Sequence, residues 1–183
     1  MQPNIIETSR HTVPVRDETD VYAAVGLGRK MTTEMGFGPG AQACAQTIIA
    51  ELARNALRHG GGGIVELRAL KSPSLGGQET RRGLEIIVQD RGPGIPDVSR
   101  ALERDGACPA VLRGASGNGG APSKGAGLGV GLSSAQRLAD EFTIDSVVGS
   151  GTRIRALKWG SPGPADNRSV GARSPRPLPR RNK

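Results

Sequence analysis

The chain is 183 residues long, 36% hydrophobic and 2% aromatic, with a formal net charge of +8. That length accommodates one domain plus tails. No apolar run approaches the roughly 20 residues that cross a bilayer and no signal-peptide pattern follows Met1, so no membrane partner and a cytoplasmic location are expected.

Cys44 and Cys108 lack the spacing of a metal site or a disulfide framework and read as free thiols. The positive charge is unevenly spread. After Trp159 come Arg168, Arg173, Arg176, Arg180, Arg181 and Lys183 against Asp166 alone. This Pro-rich stretch, residues 160–183, has no hydrophobic period and reads as a disordered basic tail. Basic residues interleaved with stacking aromatics on a folded face are not visible, which argues against nucleic acid as a partner.

Residues 1–16 read as a frayed end and an edge strand. Ile5 to Val15 alternates loosely and contains Pro14, which an edge position tolerates. Asp17 or Thr19 caps a helix through Ala24, Leu27, Met31 and Met35, and the segment from Gly36 to Gly40 closes it and turns the chain. A second helix is expected from about Ala41 to His59, with Ala45, Ile48, Ile49, Leu52 and Ala56 apolar. Glu51, Asn55 and His59 fall at i, i+4 and i+8 on one stripe of the helix; Glu51 and Asn55, flanked by apolar residues, should lie near that buried face, and His59 is assigned to helix-end packing or hydrogen bonding.

Strands at Ile64–Leu70 and Leu84–Gln89 form a hairpin around a polar connection from Lys71 to Arg82. The β-branched end of the second strand delivers Asp90 into the turn Gly92-Pro-Gly94. Asp97 caps a short helix through Leu102. Residues 97–126 form a long, Gly-rich connection of the kind that serves as a lid. Gly127, Gly129 and Gly131 open a helix through Ala139. Phe142–Val148 and Thr152–Trp159 read as a final hairpin.

These residue types suit a nucleotide. An ionised Asp90 is acceptor-only and matches an exocyclic amine of a base, and Thr152 beside it joins through a water. The amide oxygen of Asn55 is a hard ligand suited to Mg²⁺ when phosphates and waters complete the shell. A glycine-lined helix start offers free N–H groups to phosphate. Glu51, one turn from Asn55, is placed to take a proton from an attacking hydroxyl. Arg54, Arg113 and Lys124 are candidates for neutralising phosphate charge. No Gly-Lys-Ser/Thr follows the glycines, so this is not a P-loop. No strand precedes them either, so it is not a Rossmann opening.

In order, the motifs are Glu51-Leu-Ala-Arg-Asn55, Asp90-Arg-Gly92-Pro-Gly94, Gly127-Leu-Gly129-Val-Gly131 and Gly149-Ser-Gly151-Thr152. The series resembles the Bergerat ATP-binding fold of the GHKL group of gyrases, heat-shock chaperones, histidine kinases and MutL proteins. Over residues 17–159 the likeness narrows to the RsbT-like serine/threonine switch kinases. It is carried there by Gln89-Asp-Arg-Gly-Pro-Gly-Ile-Pro-Asp97, Arg137-Leu-Ala-Asp-Glu-Phe142 and the ending Lys158-Trp159.

The resemblance implies an α+β sandwich, a mixed but mainly antiparallel sheet with three main helices on one face. It implies ATP and Mg²⁺ as cofactors, Glu51 as base, Asn55 as Mg²⁺ ligand and Asp90 as adenine reader. Gly92, Gly94, Lys124, Gly127, Gly129, Gly131 and Thr152 would complete the pocket. It further implies phosphorylation of Ser or Thr on STAS-domain antagonist or scaffold proteins and, after release, activation of a PPM-type phosphatase in a stress and sigma-factor pathway. Two other readings share the fold: an anti-sigma factor kinase of the RsbW or SpoIIAB kind that binds a sigma factor directly, and a nucleotide-binding regulatory module with negligible turnover. The long lid and the basic tail depart from the RsbT pattern.

Overall fold

The computed structural model describes residues 5–72, 81–104 and 131–160. Nine elements follow in chain order: β1 Ile6–Val15, α1 Glu18–Glu34, α2 Pro39–Gly60, β2 Gly63–Ser72, β3 Arg81–Gln89, α3 Val98–Arg104, α4 Gly131–Leu138, β4 Glu141–Val147 and β5 Gly151–Trp159. The strands form one sheet in the order β1-β2-β3-β5-β4. Every pairing in it is antiparallel. The expected α+β arrangement is therefore present, with no parallel pair among the described strands.

Local chemistry explains the boundaries. Asp17 caps α1, its Oδ1 accepting the Asp20 N–H at 3.0 Å. α2 begins at Pro39, two residues before the expected Ala41, because proline at the first helical turn gives up an N–H that has no partner there anyway. Both β2 and β3 run longer than the hydrophobic pattern suggested. Lys71, Ser72, Arg81 and Arg82 join the ladder, pairing Lys71 with Arg82 and Ser72 with Arg81. Backbone hydrogen bonding carries these polar residues into the sheet where apolar alternation has stopped. β1 lies at the edge, as Pro14 requires, opposite Ile64.

One face of the sheet holds the core. Val65, Leu67, Leu84, Ile86, Val88, Ile154 and Ala156 meet Ile48, Ile49 and Leu52 of α2 and Ala24 and Met31 of α1. Fully burying each large aliphatic side chain contributes about 1.5–3 kcal/mol. Gly28 lets the helices close up: a Cβ there would lie 2.2 Å from Ile49 Cδ1.

The other face carries ion pairs across all five strands. Glu85 of β3 is its centre, with 8% side-chain exposure. It meets Arg68 of β2 at 3.3 Å and Arg155 of β5 at 2.5 Å. Arg155 reaches on to Glu141 of β4 at 3.3 Å, and Arg10 of β1 lies 3.9 Å from Glu66 of β2.

Candidate functional site

Residues that chain order separates meet at one end of the sheet, around the C-terminal half of α2. β3 ends at Gln89, and the next residue, Asp90, is locked to the start of β5. The Asp90 N–H donates to the Thr152 carbonyl at 2.9 Å, and the Thr152 N–H donates back to Asp90 Oδ1 at 3.2 Å. The Gly92 N–H donates to the same oxygen at 2.8 Å. Among the described residues no hydrogen bond reaches Oδ2. The half-buried carboxylate thus has one oxygen fixed by the backbone and one left for an outside donor.

Small residues make this approach possible. A Cβ on Gly92 would lie 2.6 Å from Gly60 Cα and 2.8 Å from the His59 carbonyl oxygen. Gly94 takes φ +74°, a left-handed conformation that L side chains rarely adopt, and brings its backbone against Val147. The motif glycines of the Asp90 turn therefore serve close packing against α2 and the β4–β5 turn. Thr152 is 6% exposed.

Between one and three turns back along α2, Asn55 and Glu51 are half-buried and meet the first residue of α4. A Cβ on Gly131 would stand 3.1 Å from Asn55 Nδ2, Asn55 Oδ1 and Glu51 Oε2 alike. The expected helix i, i+4 pair and the last motif glycine therefore share one cleft. The donor set is hard oxygen, a carboxylate and an amide. That is compatible with a single protein ligand to Mg²⁺, whose remaining positions phosphate and water fill. Lys124, Gly127 and Gly129 lie outside the described residues, as does Arg113.

Two further residues of α2 have other surroundings. Arg54 has a partner on α1. Its Nε donates to Glu18 Oε1 at 2.7 Å, and that carboxylate holds the guanidinium above its ordinary value. The contact joins α2 to α1 across 36 residues of sequence, so no local pattern could show it. His59 shares the helical stripe with Glu51 and Asn55, but its side chain is exposed. α2 ends at the next residue, Gly60, and the His59 backbone carbonyl faces the Gly92 turn.

Ser146 of β4 escaped the sequence reading. Its Oγ accepts the Ile95 N–H at 2.8 Å and lies 2.9 Å from Thr152 Oγ1. The only sequence hint is its inward phase in β4, shared with Phe142 and Ile144, where a small polar residue stands out. A cleft of about 250 Å³ at the opposite end of the sheet is lined by Thr8, Glu34, Met35, Leu70, Lys71 and Arg82. None of the described candidate residues borders it.

Residues 40–159 match the family model described as histidine kinase-, DNA gyrase B-, and HSP90-like ATPase. A curated relative, the serine/threonine-protein kinase RsbT of Bacillus subtilis (strain 168), is 39% identical over 147 residues, covering 80% of this chain and 94% of its own. The chain belongs to this ATPase family and, within it, to the RsbT-like serine/threonine kinases. ATP is accordingly the nucleotide of this RsbT-like kinase. No described helix is long and apolar enough to cross a membrane.

Proposed function

We propose that the cleft binds Mg²⁺-ATP and transfers the γ-phosphoryl group to a Ser or Thr of a STAS-domain protein. We further propose that the released kinase then activates a PPM-type phosphatase in a partner-switching pathway. The observation that carries the transfer reading is the meeting of Gly131 with both Glu51 and Asn55, beside a base-reading carboxylate held by the backbone.

Each residue has a defined task in this reading. Asp90 Oδ2 accepts a hydrogen bond from the adenine amine, and Thr152 completes the contact with the ring. Gly92 and Gly94 shape the turn below the base. Gly131 leaves the start of α4 clear for phosphate oxygens, and the motif assigns Gly127 and Gly129, with Lys124 as a counter-charge, to the same task. Asn55 would hold Mg²⁺ through its amide oxygen, and the ion would supply neutralisation of the phosphate charge. Glu51 takes the proton of the acceptor hydroxyl as its oxygen bonds to the γ-phosphorus. The bond from that phosphorus to the bridging oxygen breaks, and ADP leaves with the electron pair.

The partner assignment rests on likeness to RsbT over most of the chain. It is tested by calorimetry with Mg²⁺-ATP, followed by phosphotransfer to a STAS-domain protein. Wild type binds, Asp90→Asn and Asn55→Ala each lose about 1.5–3 kcal/mol of binding, and Glu51→Ala binds without transferring. Capture of a sigma factor in place of a STAS protein would reassign the partner, and phosphatase activation with no phosphotransfer would make the chain a regulatory module.

A further inference from the structure

Arg54 follows Glu51 on α2 at i+3, and side chains at that spacing are neighbours on a helix. An acid N-terminal to a base is the favourable order for such a pair, so α2 on its own would join the two. The structure joins Arg54 to another helix. Its Nε lies 2.7 Å from Glu18 Oε1 in the first turn of α1. Glu51 turns its Oε2 to the start of α4, 3.1 Å from where a Cβ on Gly131 would stand. Among the described residues Glu51 makes no ion pair of its own. Both carboxylates nonetheless act on the same guanidinium. Glu18 by its hydrogen bond and, more weakly, Glu51 through space hold Arg54 above its ordinary value.

Glu18 and Glu51 thus compete for one cation. The bridge that Glu18 wins is partly in water, with 47% exposure on Glu18 and 26% on Arg54, so it adds little to the stability of the fold. Its effect is to decide where the guanidinium sits. A carboxylate that accepts from a guanidinium has its lone pairs occupied and its charge neutralised, and it is then a poor acceptor for a further proton.

We infer that Glu18 is a positioning residue for phosphoryl transfer: it detains Arg54 on α1 and so keeps the Glu51 carboxylate open to the proton of the acceptor hydroxyl. The inference rests on the reading of Glu51 as base. Without Glu18, Arg54 swings to the carboxylate of its own helix and occupies it.

The test is phosphotransfer by the full chain to the same STAS-domain protein, in wild type, Glu18→Gln, Arg54→Gln and the double variant, with ATP affinity and thermal unfolding measured alongside. Glu18→Gln should lower kcat about three- to tenfold, between the effect of an exposed helical pair and that of a charge-assisted hydrogen bond. The KM for the acceptor and the Kd for ATP should stay within about twofold of wild type. Adding Arg54→Gln should return kcat to within about twofold of wild type, since no cation is left to occupy Glu51. Each single variant breaks the same bridge, so their unfolding temperatures should shift alike while their rates differ. A bridge that only ties α1 to α2 would slow both single variants equally and the double variant would not recover, which overturns the inference. An unchanged kcat in Glu18→Gln overturns it too. So does a raised acceptor KM that Arg54→Gln does not relieve, which would make Glu18 a contact of the acceptor. Loss of transfer in Arg54→Gln alone would place the guanidinium on the phosphates and overturn it while leaving Glu51 as base. If Glu51→Ala transfers as fast as wild type, or wild type does not transfer, the base reading and the inference fall together.

Discussion

Gly60 and Asp90 stand so close that a methyl group on the glycine would lie 2.4 Å from Asp90 Cβ and 2.7 Å from its carboxyl carbon. Thirty residues of sequence separate them, yet the end of α2 is the wall against which the carboxylate is set.

Gly60→Ala should therefore push Asp90 off its backbone donors. Overpacking of this kind costs about 1–3 kcal/mol, more than the gain of up to about 1 kcal/mol from placing alanine in a helix. Urea unfolding should show the loss of stability, and calorimetry a weaker affinity for ATP. Unchanged affinity would mean that the Asp90 turn tolerates displacement.

Gly131→Ala poses a different balance. The new methyl would crowd Asn55 and Glu51 at 3.1 Å, a distance that side chains can relieve by small shifts, and α4 gains a better helix former. Stability should stay within about 1 kcal/mol of wild type while phosphotransfer falls at least about tenfold, a barrier increase of about 1.4 kcal/mol. Stability is read by thermal unfolding and transfer by phosphoprotein formation. Intact transfer would remove α4's first residue from the reaction cleft.

Much of this arrangement was legible beforehand. Asp17 capping α1, the β2–β3 and β4–β5 hairpins and the edge position of β1 each follow from a local rule: a capping side chain, a period of two, a proline. The Asp90 turn and the Glu51–Asn55 pair also showed as motifs, because a short carboxylate, amide or glycine run has a signature along the chain. What stayed hidden depends on tertiary partners. Ser146 sits in a strand that alternates exposed and half-buried residues, and nothing local marks it until Ile95 and Thr152 arrive. Arg54 looked available for phosphate because Glu18 lies on another helix. Glu85 interrupts the apolar run of β3, and its burial makes sense only between two arginines from neighbouring strands.

Glu85→Gln tests that last arrangement. The amide keeps the shape but removes the anion that Arg68 and Arg155 share. Because the arginines remain partly exposed, the cost should be about 1–3 kcal/mol, below that of a fully buried pair. The gap between wild type and variant in urea should narrow when about 0.5 M salt is added, as screening weakens what the anion contributed. A gap indifferent to salt would point to packing alone.

The acid limb of stability should depend on Asp20. The Arg16 backbone N–H, 2.9 Å from Asp20 Oδ2, and then the Arg16 side chain hold this carboxyl below its ordinary value. A depressed folded-state value contributes stability above the unfolded value, near 3.9 for Asp, and loses it as the pH falls through the folded one. Wild type should thus exceed Asp20→Asn near neutrality, with the difference shrinking below about pH 4 and vanishing once both states are protonated. Urea midpoints measured down the acid range give the comparison. A difference that survived full protonation would assign the stabilisation to something other than this charge.

The sheet order sets a timetable for biosynthesis. β5 is the last described strand in sequence, yet it lies inside the sheet between β3 and β4. Its pairing with β3 brings together residues such as Arg155 and Glu85, 70 positions apart. Loop closure over that distance is slow, and a nascent chain has no partner for the open edge of β3 until the final strand has left the ribosome. Asp90 loses two of its backbone contacts if Thr152 is missing. A growing chain thus fixes the Asp90 carboxylate only once β5 has emerged, and any truncation before residue 151 leaves a half-sheet with an exposed apolar strand, a substrate for chaperones and proteases.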